Sequence, residues 1–233
     1  MEQLSVVIPA WNEELRIGDT VRKISDYLVG KEFLFEIIVA DDGSTDQTRE
    51  IAERAGKSVR VLILPHRGKG NAVREGMLAA SGDLILVTDA DLSTPIEEIE
   101  RFLQIDASVV IASRALPTSI IPVHQPRYRE IGGKLLNIAV RLVVLPGIKD
   151  TQCGFKLFQA KAAKEIFRRQ TIPGFGFDIE ILFIARRFGY QVIELPVRWT
   201  NDDRTKVHPF QSGITILVDL FRIRLNSLRG KYQ

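Results

Sequence analysis

Cysteine occurs once in these 233 residues, at Cys153. A single thiol excludes an internal disulfide, and a reducing cytosol is the expected setting. Long apolar runs are also missing. The first, Leu4 to Ala10, is followed at once by Asn12, Glu13 and Glu14, so no secretory leader is expected. No run reaches the roughly 18 apolar residues of a spanning helix. The longest candidates, Ile138 to Ile148 and Ile214 to Leu225, are short or broken by charge. Repeats and low-complexity segments are absent. A dominant charge is lacking too: 32 basic against 29 acidic residues leave a net +3. That balance, with no interleaving of aromatic and basic residues, predicts no nucleic-acid partner.

Apolar residues make up 45% of the chain, enough to bury a substantial core. The basic residues are unevenly placed. Arg114, Arg127, Arg129, Lys134 and Arg141 gather mid-chain, and Arg198, Arg204, Lys206, Arg222, Arg224, Arg229 and Lys231 gather later. Such clusters suit phosphate groups or an anionic membrane face, with a solvated rim as the plain alternative.

Five short apolar, β-branched runs read as buried parallel strands: Leu4–Pro9, Phe35–Ala40, Val59–Leu64, Leu84–Thr88 and Ser108–Ala112. Between them, Glu13–Leu28, Thr45–Ala55, Gly70–Ala80 and Pro95–Leu103 carry helical spacing. Ser44 or Thr45 is the expected cap of the second helix, and Thr94–Pro95 the expected start of the fourth. Strands alternating with helices predict an α/β fold, doubly wound, with ligands beyond the carboxyl ends of the strands. After Ser113 the pattern changes. Ala115–Pro126, with three prolines, reads as a long mobile loop. Tyr128–Leu145, Lys161–Arg169, Asp178–Phe188 and Ile214–Leu228 read as helices, Phe155–Phe158 as a strand, and Val192–Trp199 as one or two edge strands around Pro196.

Four signals fall at successive strand ends. Asp89-Ala90-Asp91 offers two carboxylates, hard ligands for Mg²⁺ or Mn²⁺ that leave positions open for a diphosphate. Asp41-Asp42-Gly43-Ser44 can accept from a base or ribose, or be a plain turn. Arg67-Gly68-Lys69-Gly70-Asn71 precedes a helix, where glycine, lysine and a helix N-terminus favour phosphate, although the P-loop spacing is absent. Pro9-Ala10-Trp11-Asn12-Glu13 places an aromatic where it can stack on a base or simply pack.

These stretches together resemble the family 2 glycosyltransferases with the A-type nucleotide-sugar fold. Ser113-Arg114, Asp150 to Phe158, Phe177-Asp178-Ile179-Glu180 and Thr205-Lys206 resemble more narrowly the dolichyl-phosphate β-glucosyltransferase or polyprenyl-phosphate branch. The resemblance implies a Rossmann-like, mostly parallel sheet with helices on both faces and acceptor-side helices at the end. It implies one domain, with residues 1–113 binding nucleotide-sugar and residues 114–233 facing acceptor and membrane. It implies Pro9, Trp11, Glu13, Asp42, Lys69 and Asp89 on the donor; Asp91, with Ser93, on Mg²⁺ or Mn²⁺; and Arg114 and Arg127 with Asp89 and Asp91 in catalysis. Arg114, Arg127, Arg129, Arg204 and Lys206 would grip the acceptor phosphate. The implied reaction moves glucose from UDP-glucose to dolichyl or polyprenyl phosphate with inversion. Mannosyl transfer from GDP-mannose, or transfer to a sugar hydroxyl, are the alternatives within the family, and a silent nucleotide-sugar-binding module the alternative outside catalysis. A phosphate acceptor is already ionised and needs positioning more than a base, so Asp178 and Glu180 are expected to cap and pack. Tyr128 to Lys149 suits a helix lying in a membrane interface, which would make the protein peripheral at a cytoplasmic membrane face, with a buried helix or an oligomer contact as the alternative.

Overall fold

The computed structural model describes residues 3–31, 34–124, 126–202 and 209–233. Arg204 and Lys206 lie outside the described residues. Strands and helices alternate through β1 (Gln3–Ala10), α1 (Ile17–Val29), β2 (Leu34–Asp41), α2 (Thr48–Arg54), β3 (Val59–Ile63), α3 (Lys69–Ala79), β4 (Leu84–Val87), α4 (Ile99–Leu103) and β5 (Val109–Ser113). The second half contributes β6 (Ile120–Val123), α5 (Arg127–Val143), β7 (Lys156–Gln159), α6 (Ala160–Arg169), α7 (Phe177–Arg187), β8 (Val192–Pro196), β9 (Arg198–Thr200) and α8 (Pro209–Leu228).

Seven strands form one sheet in the order β3-β2-β1-β4-β7-β5-β8, parallel except for β7. Successive side chains of a strand leave opposite faces, and β1 divides accordingly. Leu4, Val6 and Ile8 join one core layer with Ile17, Val21, Ile24 and Leu28 of α1, while Val7 joins the other with Val73 and Met77 of α3. The spacing of the four α1 residues is the apolar stripe of an amphipathic helix. Helix α3 lies so close to the sheet that a Cβ on Gly76 would come within 2.4 Å of Val7 Cγ1. The sheet also crosses the expected division at residue 113, since β7 and β8 complete what β1–β5 begin.

Three local expectations are corrected. Neither Ser44 nor Thr45 caps α2. The helix starts at Thr48, whose N–H is taken by Asp46 at 3.0 Å, while Ser44 Oγ accepts from Asn12 N at 2.9 Å and so joins two loops. The fourth helix starts beside Thr94–Pro95 as expected, but not as an α-helix. Pro95 opens a 3-10 turn over Ile96–Glu98, and the Thr94 hydroxyl faces Cys153 Sγ at 3.7 Å. Ala115–Pro126 is not all loop, because Ile120–Val123 pairs in parallel with Arg198–Thr200 as a separate two-stranded sheet. Pro122 is tolerated there because a two-stranded ribbon is all edge.

Candidate active site

Parallel strands deliver their carboxyl ends to one rim. The loops after β1, β2, β3 and β4 therefore meet, and β7 adds its first residue, Lys156, which is paired with Val87 at the end of β4. Asp89 and Asp91 leave β4 at this rim. The chain turns back immediately, with Leu92 at φ 47° and its N–H on the Asp89 carbonyl at 3.2 Å. A left-handed leucine costs on the order of 1 kcal/mol or more, and such strain collects at functional sites. Thr20 of α1 anchors the turn by donating to the Ala90 carbonyl at 2.6 Å.

Lys69, the first residue of α3, places Nζ 2.7 Å from Asp89 Oδ1. Burial acts to lower this ammonium, but Asp89, Asp178 and Asp91 outweigh it and hold the group above its ordinary value. Asp91 lies deeper. Burial raises its carboxyl and the Asp89 charge adds to that, against Ser93, whose N–H it accepts at 2.9 Å, and Lys69. Ser93, expected as a metal ligand, thus acts on Asp91. Thr88, Asp89, Asp91, Ser93, Thr94, Gly154, Phe155 and Trp199 surround a recess of about 10 Å³, room for a single water-sized occupant. Gly154 is pressed against the acidic pair, since a Cβ there would sit 2.1 Å from Asp89 Oδ2.

The chemistry of this donor set fits a hard divalent cation. Two carboxylates crowd one recess; burial, and then the Asp89 charge, raise Asp91, and a dication would relieve the crowding of negative charge. No cluster of three His, Cys, Asp or Glu exists among the described residues. A hard cation here would draw its remaining ligands from water or from a diphosphate.

The Trp11 and His66 rings stack at 4.7 Å and 18°, an aromatic surface at the mouth of the site. His66 Nδ1 lies 2.8 Å from Asp42 Oδ2. Asp42 is buried and also accepts the N–H groups of Arg67 at 2.9 Å and Gly68 at 2.8 Å. It therefore holds the turn that carries Lys69. Glu13 is engaged in a two-point ion pair with Arg16, which reaches on to Asp202 at 3.4 Å. Pro9 is buried within β1.

On the opposite side, Arg114 meets Asp150 through Nε at 2.7 Å and Nη2 at 3.0 Å, beneath the Trp199 ring. Burial works to raise Asp150, yet the guanidinium outweighs it and brings the carboxyl to about 2. Arg127 and Arg129 are placed by their backbone in the first turn of α5. Asp178 is buried against Lys156 at 2.5 Å, and the same ammonium donates to the Cys153 carbonyl at 2.6 Å. Glu180 is wholly buried and accepts from Thr171, Ile172 and Tyr232. Both acids are buried, in keeping with the expectation that they pack, but neither caps α7, which has no side-chain cap bond. Burial carries the Cys153 thiol up to about 11, which leaves it protonated and inert at neutral pH.

Sequence reasoning did not find His66, Arg16, Thr20 or Gly154 as parts of this site. Gly154 stands inside the Asp150–Phe158 stretch that carried part of the resemblance. His66 and Thr20 face partners more than 20 residues away, and Arg16, beside Glu13, reaches on to Asp202; local spacing gives no signal for these long-range contacts.

Comparison with known proteins agrees with this geometry. The model for glycosyl transferase family 2 matches residues 5–167. The chain is 36% identical, over 97% of its length and 75% of the relative's, to a dolichyl-phosphate β-glucosyltransferase of Dictyostelium discoideum. It is 34% identical, over its whole length and 78% of the relative's, to the human enzyme of that name. The fold matches a glucosyl-3-phosphoglycerate synthase of Mycobacterium tuberculosis, solved with Mn²⁺ and UDP-glucose, at a TM-score of 0.66 and 23% identity over 94% of this chain and 79% of that one. The chain is a glycosyltransferase and belongs to glycosyl transferase family 2, among the relatives of the dolichyl-phosphate β-glucosyltransferases.

Proposed function

We propose that this enzyme transfers glucose from UDP-glucose to a dolichyl or polyprenyl phosphate at a membrane surface, with inversion at the sugar carbon. The observation that carries the reading is the Lys69–Asp89–Asp91 constellation at the end of β4, beside the aromatic surface of Trp11 and His66. The names of the relatives support the acceptor, and the fold neighbour bound to UDP-glucose supports the donor.

The base stacks on Trp11, and Asp42 shapes its pocket through the 66–68 turn. Lys69 meets the diphosphate. Asp91, with Asp89, would hold Mg²⁺ or Mn²⁺, which when bound supplies positive charge to the departing diphosphate. The phosphate acceptor arrives ionised, so in-line attack needs it held by cations rather than deprotonated. Arg114, Arg127, Arg129, Arg204 and Lys206 are the candidate cations. The burial of Asp178 and Glu180 supports a reaction without a protein base.

Helices α5 and α8 support the membrane reading. Tyr128, Ile131, Leu135, Ile138 and Leu142 are exposed at helical spacing on α5, as are Ile214, Leu217, Val218, Phe221, Leu225 and Leu228 on α8. The helices are joined where Arg224 Nε donates to the Val143 carbonyl at 2.6 Å. Lys134 and Arg141 lie exposed on α5 beside this apolar surface. No helix among the described residues is long and apolar enough to cross a bilayer. The contact proposed for this exposed apolar face is a peripheral one, at the cytoplasmic side of a membrane.

The test is transfer of labelled hexose from UDP-glucose or GDP-mannose to a polyprenyl phosphate in vesicles, with and without Mn²⁺. Product from UDP-glucose alone, lost with chelator, is expected. Transfer from GDP-mannose or to a sugar hydroxyl, with no lipid product, overturns the reading.

A further inference from the structure

A segment distant in sequence from the acidic pair holds the turn of Lys69 in place. Residues 170–176, between α6 and α7, lie against the turn that bears it. Pro173 O accepts from Asn71 N at 3.1 Å, and Gln170 Nε2 donates to Gly70 O at 2.8 Å. The approach leaves no slack. A Cβ on Gly68 would lie 2.7 Å from Pro173 O, and one on Gly70 would lie 2.7 Å from both Ile172 O and Phe177 Cβ. Lys69 stands between these two glycines.

That segment is fixed in turn by Glu180. One carboxylate oxygen accepts the N–H groups of Thr171 at 3.0 Å and Ile172 at 2.8 Å; the other accepts the Thr171 hydroxyl at 2.5 Å and the Tyr232 hydroxyl at 2.7 Å. Tyr232 lies in the turn after α8, wholly buried, with its ring edge-on to Phe183 at 5.9 Å. Asn226 of α8 adds a bond to the Thr171 hydroxyl at 3.0 Å. A buried carboxylate is stable only when its lone pairs are filled. Removing one donor therefore loosens the segment that the other donors hold.

We infer that Tyr232 and Glu180 are positioning residues for the donor site: through residues 170–173 they set the Gly68–Gly70 turn and hence the reach of Lys69 toward the sugar diphosphate. The inference rests on the proposed donor reading for its ligand, and on the structure alone for its mechanical part. Tyr232→Phe keeps the ring and its contact with Phe183 and removes only the hydroxyl.

Two measurements on the full chain decide it, both well below the melting temperature of the variant. UDP binding with Mn²⁺, by calorimetry, is expected to weaken about threefold to tenfold in Tyr232→Phe. In a Lys69→Met background the same change is expected to have no further effect, because the two act through one group. Hydrogen exchange of the amides of residues 68–72 is expected to quicken in Tyr232→Phe without ligand, while that of β1 stays unchanged. Unchanged exchange at 68–72 overturns the inference. So does an unchanged UDP affinity, or a loss that adds in full to that of Lys69→Met, which a merely structural role would give. If the wild type fails to bind UDP, the donor reading falls, and the exchange experiment still decides the positioning role. Should Tyr232→Phe reduce the folded fraction, Thr171→Val removes another donor to the same Glu180 oxygen and takes its place.

Discussion

Replacing Gly154 by alanine is the smallest change that reaches the reacting end of the site. The new Cβ would sit 2.1 Å from Asp89 Oδ2 and 2.4 Å from its Cγ. Ordinary contact begins near 3.4 Å, so the carboxylate has to withdraw by about 1.3 Å. The backbone of its partner Lys69 is held by loops on both sides, so the ammonium can follow only by bending its own stem, and the 2.7 Å pair is disturbed. A misplacement of about 1 Å in a reacting constellation costs roughly a hundredfold in rate, or about 2.7 kcal/mol of transition-state stabilisation. Gly154 has no left-handed backbone angle, so alanine brings no backbone strain and the melting temperature should hardly move. The assay is transfer of labelled glucose to polyprenyl phosphate at saturating acceptor, yielding kcat/KM for UDP-glucose, alongside a thermal melt. A kcat/KM within twofold of the wild type would refute the argument, and so would a loss matched by a collapse in melting temperature.

Asp91→Asn should abolish transfer yet raise the melting temperature of the cation-free protein at neutral pH. Burial and Asp89 lift the Asp91 carboxyl above its ordinary value. Its ionisation therefore subtracts stability as pH rises through that window and above it, and asparagine escapes that cost; an equal or lower melting temperature at pH 7 contradicts this. Arg114→Lys should cost about 1–2 kcal/mol at pH 7, because lysine cannot reproduce the two-point contact. Asp150 is held at about 2, below its ordinary 3.8, so the pair contributes about 2 kcal/mol that is full above roughly pH 4 and lost as pH falls through about 2. Urea melts at pH 7 and pH 2.5 should show the difference shrinking at the lower pH, and equal losses at both sink the argument. Leu135→Ser combined with Phe221→Ser should weaken binding to vesicles of anionic lipid by about 3 kcal/mol, roughly a hundredfold, with circular dichroism unchanged; undiminished co-sedimentation removes the membrane role of this face.

The first half of the fold was legible because its strands are nearly pure β-branched apolar runs and its motifs stand at their ends. Leu4–Pro9 and Leu84–Thr88 were placed to within a residue or two for that reason. The direction of β7 was not legible. Four residues, Lys156–Gln159, carry no sign of whether they run with or against their neighbours, and tertiary pairing decides it. β6 was hidden by Pro122, since proline argues against a strand unless the strand is an edge. Within the site, residue types pointed to Asp89, Asp91 and Lys69, but partner choice was invisible. That Asp42 would hold the 66–68 turn, or that Arg114 would take Asp150 across 36 residues, depends on which loops the sheet brings side by side. That α5 is an apolar helix was readable from its composition; that its apolar residues are exposed rather than buried, and continue on α8, required knowing how the two helices pack together.

The placement of β7 and β8 also governs when this enzyme can come into being on the ribosome. β5 has β7 on one side and β8 on the other, and both are translated after it. A nascent chain that has emerged only as far as residue 113 carries β5 with no neighbour and β4 with one bare flank, the kind of open backbone that captures other chains. The acidic recess at the end of β4, lined also by Gly154, Phe155 and Trp199, cannot therefore mature ahead of the rest. Its floor is completed only when residues 156–159 slide between strands made some 45 residues and more earlier. Splitting the gene at the apparent boundary should yield two insoluble pieces, recoverable only if they are expressed together and interleave.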